Sequence, residues 1–399
     1  STEEPFPVLY HLHRGTSGPK YSGNFRRKDP DSNSDNATSL LSANITARPS
    51  SSPSIHPSYA PSETEPFVET RPTCSGSYLA SSTYCSTDQY DRPIAGVISL
   101  CISDVHDFFH NHERIERNIV TIMHEIGHIL GLNAQSLANL RDPDTGEPLT
   151  PRDESGDVPD TMVECTGVHP RPRSEIPLPS PDVMDFHLVR GGVRVATIMT
   201  PTVQRVTRNM FGCRTLAGAE LEGGEYQMFP NDDPDEALSP GDCIGDHWSR
   251  RLFRTDLMNP IVDDVRYSLQ VSSLSLAYFV DTGWYKVDPS RIAPPSAWGR
   301  NAGCQFAEER CITSNGHVSA GNNPFFCNNF LEHDPEEEDE EVAEIHGCSL
   351  DSSRKAVCSL MEYDAAIPNE YDYFGQDKYL DQTHYYGGSD PTLDYCPVF

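Results

Sequence analysis

No run of apolar residues in this chain approaches the ~20 that a membrane-crossing helix needs, so no transmembrane segment is expected. No two cysteines stand as Cys-x-x-Cys, which sets aside a zinc ribbon or a redox motif. Basic residues are scarce. Thirty Lys and Arg face sixty Asp and Glu, and a net charge of −30 excludes nucleic acid and anionic membrane as natural partners. No signal peptide opens the sequence, and Asp394-Tyr-Cys-Pro-Val-Phe399 lacks the apolar tail of a lipid-anchor signal. The expectation is a processed, soluble form.

Cysteine itself is plentiful. Cys74, Cys85, Cys101, Cys165, Cys213, Cys243, Cys304, Cys311, Cys327, Cys348, Cys358 and Cys396 allow up to six disulfides and point to an oxidising compartment. Two glycosylation sequons, Asn36-Ala-Thr38 and Asn44-Ile-Thr46, agree with secretion. The chain is therefore read as an extracellular protein, expected to be monomeric. The like-charge block Glu336-Glu-Glu-Asp-Glu-Glu341 is read as a solvated loop rather than a calcium site.

The text that carries chemistry is Ile119-Val-Thr-Ile-Met-His124-Glu125-Ile-Gly-His128-Ile-Leu-Gly131. Histidines four residues apart lie on one helix face, so both rings can reach a single metal ion. Ile115, Ile119, Ile122, Ile126, Ile129 and Leu130 recur at helical spacing and are expected to anchor that helix in a core. Gly131 falls where a left-handed cap is needed. Glu125 follows the first histidine, so its carboxylate can address a metal-bound water without being a ligand. This layout points to zinc-dependent peptide hydrolysis, with one zinc lowering the water pKa towards ~7 and Glu125 moving the proton. The bland alternative is a pair of surface histidines on an amphipathic helix.

A catalytic zinc takes three protein ligands and keeps one open position. The common metzincin pattern puts the third histidine three residues after the glycine, but Ala134 stands there. Glu147 and Glu154 would suit a thermolysin-type site, yet they lie in text unlike a helix. His169, His187 and His247 remain. His247 is the best placed, in Gly245-Asp-His247-Trp-Ser-Arg-Arg251, because Asp256-Leu-Met258-Asn-Pro260 follows and offers a methionine in a tight turn beneath the metal. His106, His110 and His112 are irregularly spaced and are read as a lead into the helix.

Elsewhere, residues 1 to about 72 are rich in Ser, Pro, Asn and Thr, with a possible first strand in Phe6-Pro-Val-Leu-Tyr-His11. The alternation from Arg92 to Ile102 predicts a strand, with Gly96 suited to a bulge or a close approach and its backbone a candidate for pairing with a peptide. Residues 132 to 246 are too long for a loop and must hold their own elements and disulfides. Val193–Met199 predicts a strand, Pro201–Phe211 a helix with proline at its start, and 273–283 a helix closing on glycine. Half of the cysteines lie in the last 96 residues, so that portion is expected to depend on disulfides.

These residues resemble the leishmanolysin family of zinc peptidases. The shared text is Asp91-Arg-Pro-Ile-Ala-Gly96, the His124–Gly131 helix, Phe211-Gly-Cys213, Gly218-Ala-Glu-Leu-Glu222, Gly245-Asp-His-Trp248, Leu257-Met258, Asp281-Thr-Gly-Trp-Tyr-Lys-Val-Asp288 and Trp298-Gly-Arg-Asn-Ala-Gly-Cys304. The resemblance implies an α+β metzincin-type endopeptidase acting on proteins or peptides. A zincin subdomain would occupy 1–133, a central subdomain with the distant histidine and the Met-turn 134–303, and a cysteine-rich domain 304–399. It implies zinc on His124, His128 and His247, with Glu125 as acid and base and Met258 in the turn. Members also carry a propeptide that holds them latent; none is seen here, so a mature form is expected. The insert at 226–241 and the acidic block at 336–341 have no familiar counterpart. A catalytically idle adhesion or binding protein on the same fold is the rival reading.

Overall fold

The computed structural model describes residues 46–47, 65–71, 79–101, 112–166, 173–223, 240–261, 270–288, 296–313, 316–319, 324–328, 345–349, 354–374 and 385–399. The strand expected at Phe6, the sequons at Asn36 and Asn44, the histidines His106, His110 and His169, most of the 226–241 insert and the 336–341 block lie outside them.

A two-residue strand, Thr46–Ala47 (β1), comes first, followed by Glu65–Arg71 (β2), Ala80–Thr87 (β3) and Pro93–Cys101 (β4). The strand predicted after Arg92 is β4, and it is the middle of its sheet: β2 runs parallel on one side and β3 antiparallel on the other. This corrects the expectation that its backbone meets a peptide, because both of its edges are already paired. Among the described residues β3 is the open edge beside the long helix. β3 bulges at Cys85, since Tyr84 faces Gly96 while Ser86 faces Ala95. Gly96 also serves close approach, as a Cβ there would lie 2.6 Å from Ile129 Cγ2.

The helix His112–Ile129 (α1) lies against β3 and β4. Its expected apolar anchor needs correcting: Ile115, Ile119, Ile122 and Ile126 are half-buried, and only Ile129 of the predicted isoleucines is fully enclosed. The buried side instead carries Thr121, His124, Glu125 and His128. The helix is wedged between the sheet and a turn at Met258, so its motif side meets protein and its isoleucine side is partly open. Gly131 takes φ +104, as the cap requires.

The middle of the chain holds Ala134–Leu137 (α2), the hairpin Asp160–Glu164 (β5) and Arg173–Pro177 (β6), and the hairpin Met184–Val189 (β7) and Val193–Ile198 (β8). Pro201–Phe211 (α3) follows as predicted, with Gly212 as its left-handed cap, and Ala219–Glu220 (β9) joins β8. Pro240–Ile244 (α4), Arg250–Phe253 (α5), Ser273–Asp281 (α6) and Tyr285–Lys286 (β10) come next, β10 pairing with β1. The described residues of the C-terminal portion include a short helix, Gly303–Glu308 (α7), and two small antiparallel pairs: His346–Cys348 (β11) with Lys355–Val357 (β12), and Leu360–Tyr363 (β13) with Tyr385–Gly388 (β14).

One apolar core runs from Leu132 to Val398 through Phe211, Trp248, Trp298, Phe306 and Phe326. Buried arginines stitch the chain's end to it. Arg190 binds Glu220 and Asp394, Arg250 binds Asp390, and Arg251 lies 4.4 Å from the Phe326 ring centre. Among the described residues, four disulfides join Cys165 to Cys243, Cys213 to Cys304, Cys311 to Cys396 and Cys327 to Cys358. Cys85 and Cys348 are free and exposed, so the full set of six is not formed. The described residues contain no helix long and apolar enough to cross a membrane.

Candidate metal centre

The four-residue spacing on α1 places the rings of His124 and His128 side by side, their Nε2 atoms 3.0 Å apart. The third ring arrives from over a hundred residues away. His247 Nε2 stands 3.1 Å from each of the other two. The backbone explains its position: Leu221 bridges Trp248, Glu222 N donates to the His247 carbonyl at 2.9 Å, and Ser249 N donates to Glu220 O at 2.9 Å. The text after β9 thus pairs with the text around His247 and extends the β7–β8–β9 sheet. Ala134, where a histidine was missing, uses its N–H to hold the Asp246 carboxylate at 2.7 Å and so fixes the residue before His247.

Each ring has its other nitrogen committed. His124 Nδ1 donates to Leu257 O at 2.7 Å and His128 Nδ1 to Leu132 O at 2.8 Å. His247 Nδ1 is hydrogen-bonded to the Glu222 carboxylate. A carbonyl accepts only from N–H, so the Nε2 atoms of His124 and His128 are bare lone pairs. Lone pairs crowded within about 3 Å repel unless a cation lies among them. Three imidazole nitrogens bound at ~2.0–2.1 Å around a tetrahedral ion lie ~3.3 Å apart, close to the spacing seen. The donor set fits a metal ion, and these three residues could hold one.

Electrostatics favour the neutral form for two of the three rings. Burial, helped by the neighbouring His247, lowers the His124 pKa to about 3, against the pull of the Leu257 carbonyl. Burial and both neighbouring rings push His128 well below the usual imidazole range. Burial also disfavours the charged form of His247, but the Glu222 carboxylate outweighs it and raises that pKa. Glu125 is only 5% exposed. Burial raises its carboxyl pKa, with weaker opposing pulls from Ser82 and His247. Ser82 on β3 also donates to the Glu125 carbonyl at 2.9 Å, tying the open edge to the motif helix.

Beneath the rings lies Met258, 1% exposed. Asp256 Oδ1 accepts from Met258 N at 2.7 Å and Trp248 N donates to Met258 O at 2.9 Å, so the turn is fixed at both ends. The Met258 side chain packs directly under Gly127 of the motif, where a Cβ would stand 2.3 Å from the sulfur.

The structure therefore brings together His124, His128, His247, Glu125 and Met258. The competing positions stand elsewhere: Glu147 and Glu154 are exposed, and His187 is on β7 opposite Val195. Sequence reasoning missed Glu222 and Gly127 as parts of the site. Glu222 stands in the text shared with the family, but nothing in the local pattern marks a carboxylate aimed at a ring twenty-five residues on.

The sequence profile of the leishmanolysin peptidases matches residues 66–399. This chain belongs to the leishmanolysin family of metallopeptidases. Among its leishmanolysin relatives, a leishmanolysin-like peptidase of Drosophila pseudoobscura pseudoobscura is 30% identical over 340 residues, which covers 82% of this chain and 44% of that protein. One from Caenorhabditis briggsae is 29% identical over 81% of this chain and 46% of its own length. Leishmanolysin of Leishmania tropica is 29% identical over 213 residues, 52% of this chain and 26% of that protein. The chain thus spans less than half the length of these curated leishmanolysin relatives.

Proposed function

We propose that this chain is a secreted, zinc-dependent endopeptidase that hydrolyses peptide bonds of proteins, with one zinc held by His124, His128 and His247. The observation that carries the reading is the convergence of three Nε2 atoms within 3.1 Å, each ring anchored through its other nitrogen. Three neutral imidazoles with an open fourth position are the ligand chemistry of catalytic zinc. When bound, the metal supplies a Lewis acid that polarises the scissile carbonyl and makes the attacking water more acidic.

The rest is the work of the chain's own groups. The Glu125 carboxylate, deprotonated, takes the proton of the attacking water and then delivers it to the leaving amine. Its burial favours the protonated form, so it holds that proton more readily than an exposed glutamate. Glu222 keeps His247 oriented with Nε2 inward. The Met258 turn supports the motif helix from below. β3 is the edge whose backbone an extended substrate can pair with, Ser82 holding that edge beside Glu125. The division into a zincin part (1–133), a central part with the third histidine and the Met-turn (134–303) and a disulfide-rich part (304–399) belongs to the same proposal.

His247→Ala tests the ligand set. The variant is expected to lose zinc in atomic emission while the wild type holds one ion per chain. Undiminished zinc in the variant would send the search for the third ligand to His187 or His169.

A further inference from the structure

The helix α6 is buried along almost its whole length, with Leu274, Leu276, Ala277 and Phe279 enclosed. A helix in such surroundings has no need of hydroxyl groups, and each one costs free energy unless it is hydrogen-bonded. Yet Ser272 at its cap, Ser275 and Tyr278 recur every three residues along one side. All three hydroxyls bond to the segments that carry or orient the histidines of the metal centre.

Ser275 Oγ accepts from Trp248 Nε1 at 2.9 Å and donates to Asp256 Oδ1 at 2.8 Å. Trp248 is the residue after His247. Ser272 Oγ donates to the other carboxylate oxygen of Asp256 while it caps the helix at Leu274 N and Ser275 N. Asp256 in turn holds Met258 N, and between them stands Leu257, whose carbonyl receives His124 Nδ1. One turn further along, Tyr278 OH donates to Gly131 O at 2.6 Å, just past the end of α1. The N–H of that same peptide unit, on Leu132, donates to Gly127 O at 3.1 Å, so the unit is pinned on both sides. The next carbonyl, Leu132 O, receives His128 Nδ1. The helix thus reaches the backbone behind all three rings. Its far end is fixed away from the metal centre, where Asp281 accepts from Thr202 N at 2.7 Å and Val203 N at 3.0 Å.

We propose that α6 is the template that sets the spacing of the three histidines, with Ser275 and Tyr278 as its positioning residues. The proposal rests on the zinc reading above and adds to it the element that holds the ligands in register. His124 and His128 share one helix, but His247 arrives on a separate segment, so their spacing depends on elements that touch both. Ser275 serves the His247 and His124 side, and Tyr278 serves the His128 side. The outer ring nitrogens are bonded to Leu257, Leu132 and Glu222, so α6 acts through the backbone that holds the rings.

Ser275→Ala and Tyr278→Phe each remove one hydroxyl and leave the shape of the core. Zinc affinity of the full chain, read by competition with a chromogenic chelator, should fall by about tenfold in each. Cobalt(II) bound in place of zinc should show shifted visible absorption bands, because ligand geometry sets them. Tyr373→Phe is the control, since it removes another buried hydroxyl, one that donates to Asp394 O at 2.8 Å in the C-terminal portion. It should lower the melting temperature of the metal-free protein as the other two do, yet keep wild-type zinc affinity and cobalt bands. Each α6 variant is decisive alone, should the other not fold. Lower stability in the α6 variants with zinc affinity and cobalt bands unchanged would overturn the proposal and leave these hydroxyls as ordinary core bonds. So would an equal fall in zinc affinity in Tyr373→Phe. A wild type that binds no zinc would sink the metal reading and this proposal with it. Zinc that is lost in His247→Ala but held at full affinity by both α6 variants would sink the template alone.

Discussion

Gly127→Ala is the sharpest probe of how the motif helix sits on its support. A methyl group at this position would lie 2.3 Å from Met258 Sδ and 2.9 Å from its Cε. Ordinary carbon contacts need ~3.5–4.0 Å, so the sulfur must retreat by more than ~1 Å. It has little room to do so, since Met258 is 1% exposed and its backbone is held by Asp256 and by Trp248. Overpacking of this kind costs about 1–3 kcal/mol, while replacing glycine by alanine inside a helix returns about 1 kcal/mol. The net effect in the wild-type background is therefore a loss of roughly 0–2 kcal/mol. In a Met258→Ala background the obstacle is gone, and the same substitution should stabilise by about 1 kcal/mol. The sign reversal is the prediction. Urea unfolding of the wild type, both single variants and the double variant measures it, and the interaction energy should exceed about 1 kcal/mol. Zinc affinity should fall in Gly127→Ala as well, because the Leu257 carbonyl that orients His124 belongs to the displaced turn. If Gly127→Ala has the same effect in both backgrounds, the proposed contact does not support the helix.

Two further substitutions test the shell around the metal centre. Glu222→Gln should weaken zinc binding by about 10–100-fold in a competitive chelator titration, and wild-type affinity would remove Glu222 from its positioning role. Asp256, buried below Met258, has its pKa raised from 3.8 to about 6 by burial, against hydrogen bonds from Ser272, the Met258 N–H and Ser275. The folded state therefore keeps a proton that the unfolded chain has released, so this contribution is full below about pH 4 and fades as pH rises through about 6. Asp256→Asn should flatten the difference in stability between those two pH values; an unaltered pH profile would show that Asp256 is ionised throughout.

Much of the site was legible because its logic is local. The His124–Glu125–His128 spacing, Gly131 at positive φ, proline at the start of α3 and Gly212 at its end are short-range rules that hold whatever surrounds them. His247 could be favoured because a Met turn follows it, with Met258 eleven residues on. What the sequence withheld is long-range. Nothing in Arg92–Ile102 says whether that strand is an edge or a centre, since this depends on β2 and β3 arriving on its two sides. The isoleucines of α1 have clean helical spacing, yet the deeper burial belongs to the motif face, because Met258 and β3 close on it from distant parts of the chain. Pairing was equally hidden: Cys213 joins Cys304 across 91 residues, while Cys85 ends exposed on a bulge.

Cleavage of an unfolded protein such as casein, measured for the wild type, for Glu125→Ala and for the wild type with a zinc chelator, tests the central claim most directly. The account predicts hydrolysis by the wild type, its loss with the chelator and recovery on adding zinc. It also predicts a Glu125→Ala protein that still carries one zinc and cleaves nothing measurable. A Glu125→Ala variant as active as the wild type, or a zinc-loaded wild type without activity, would contradict it.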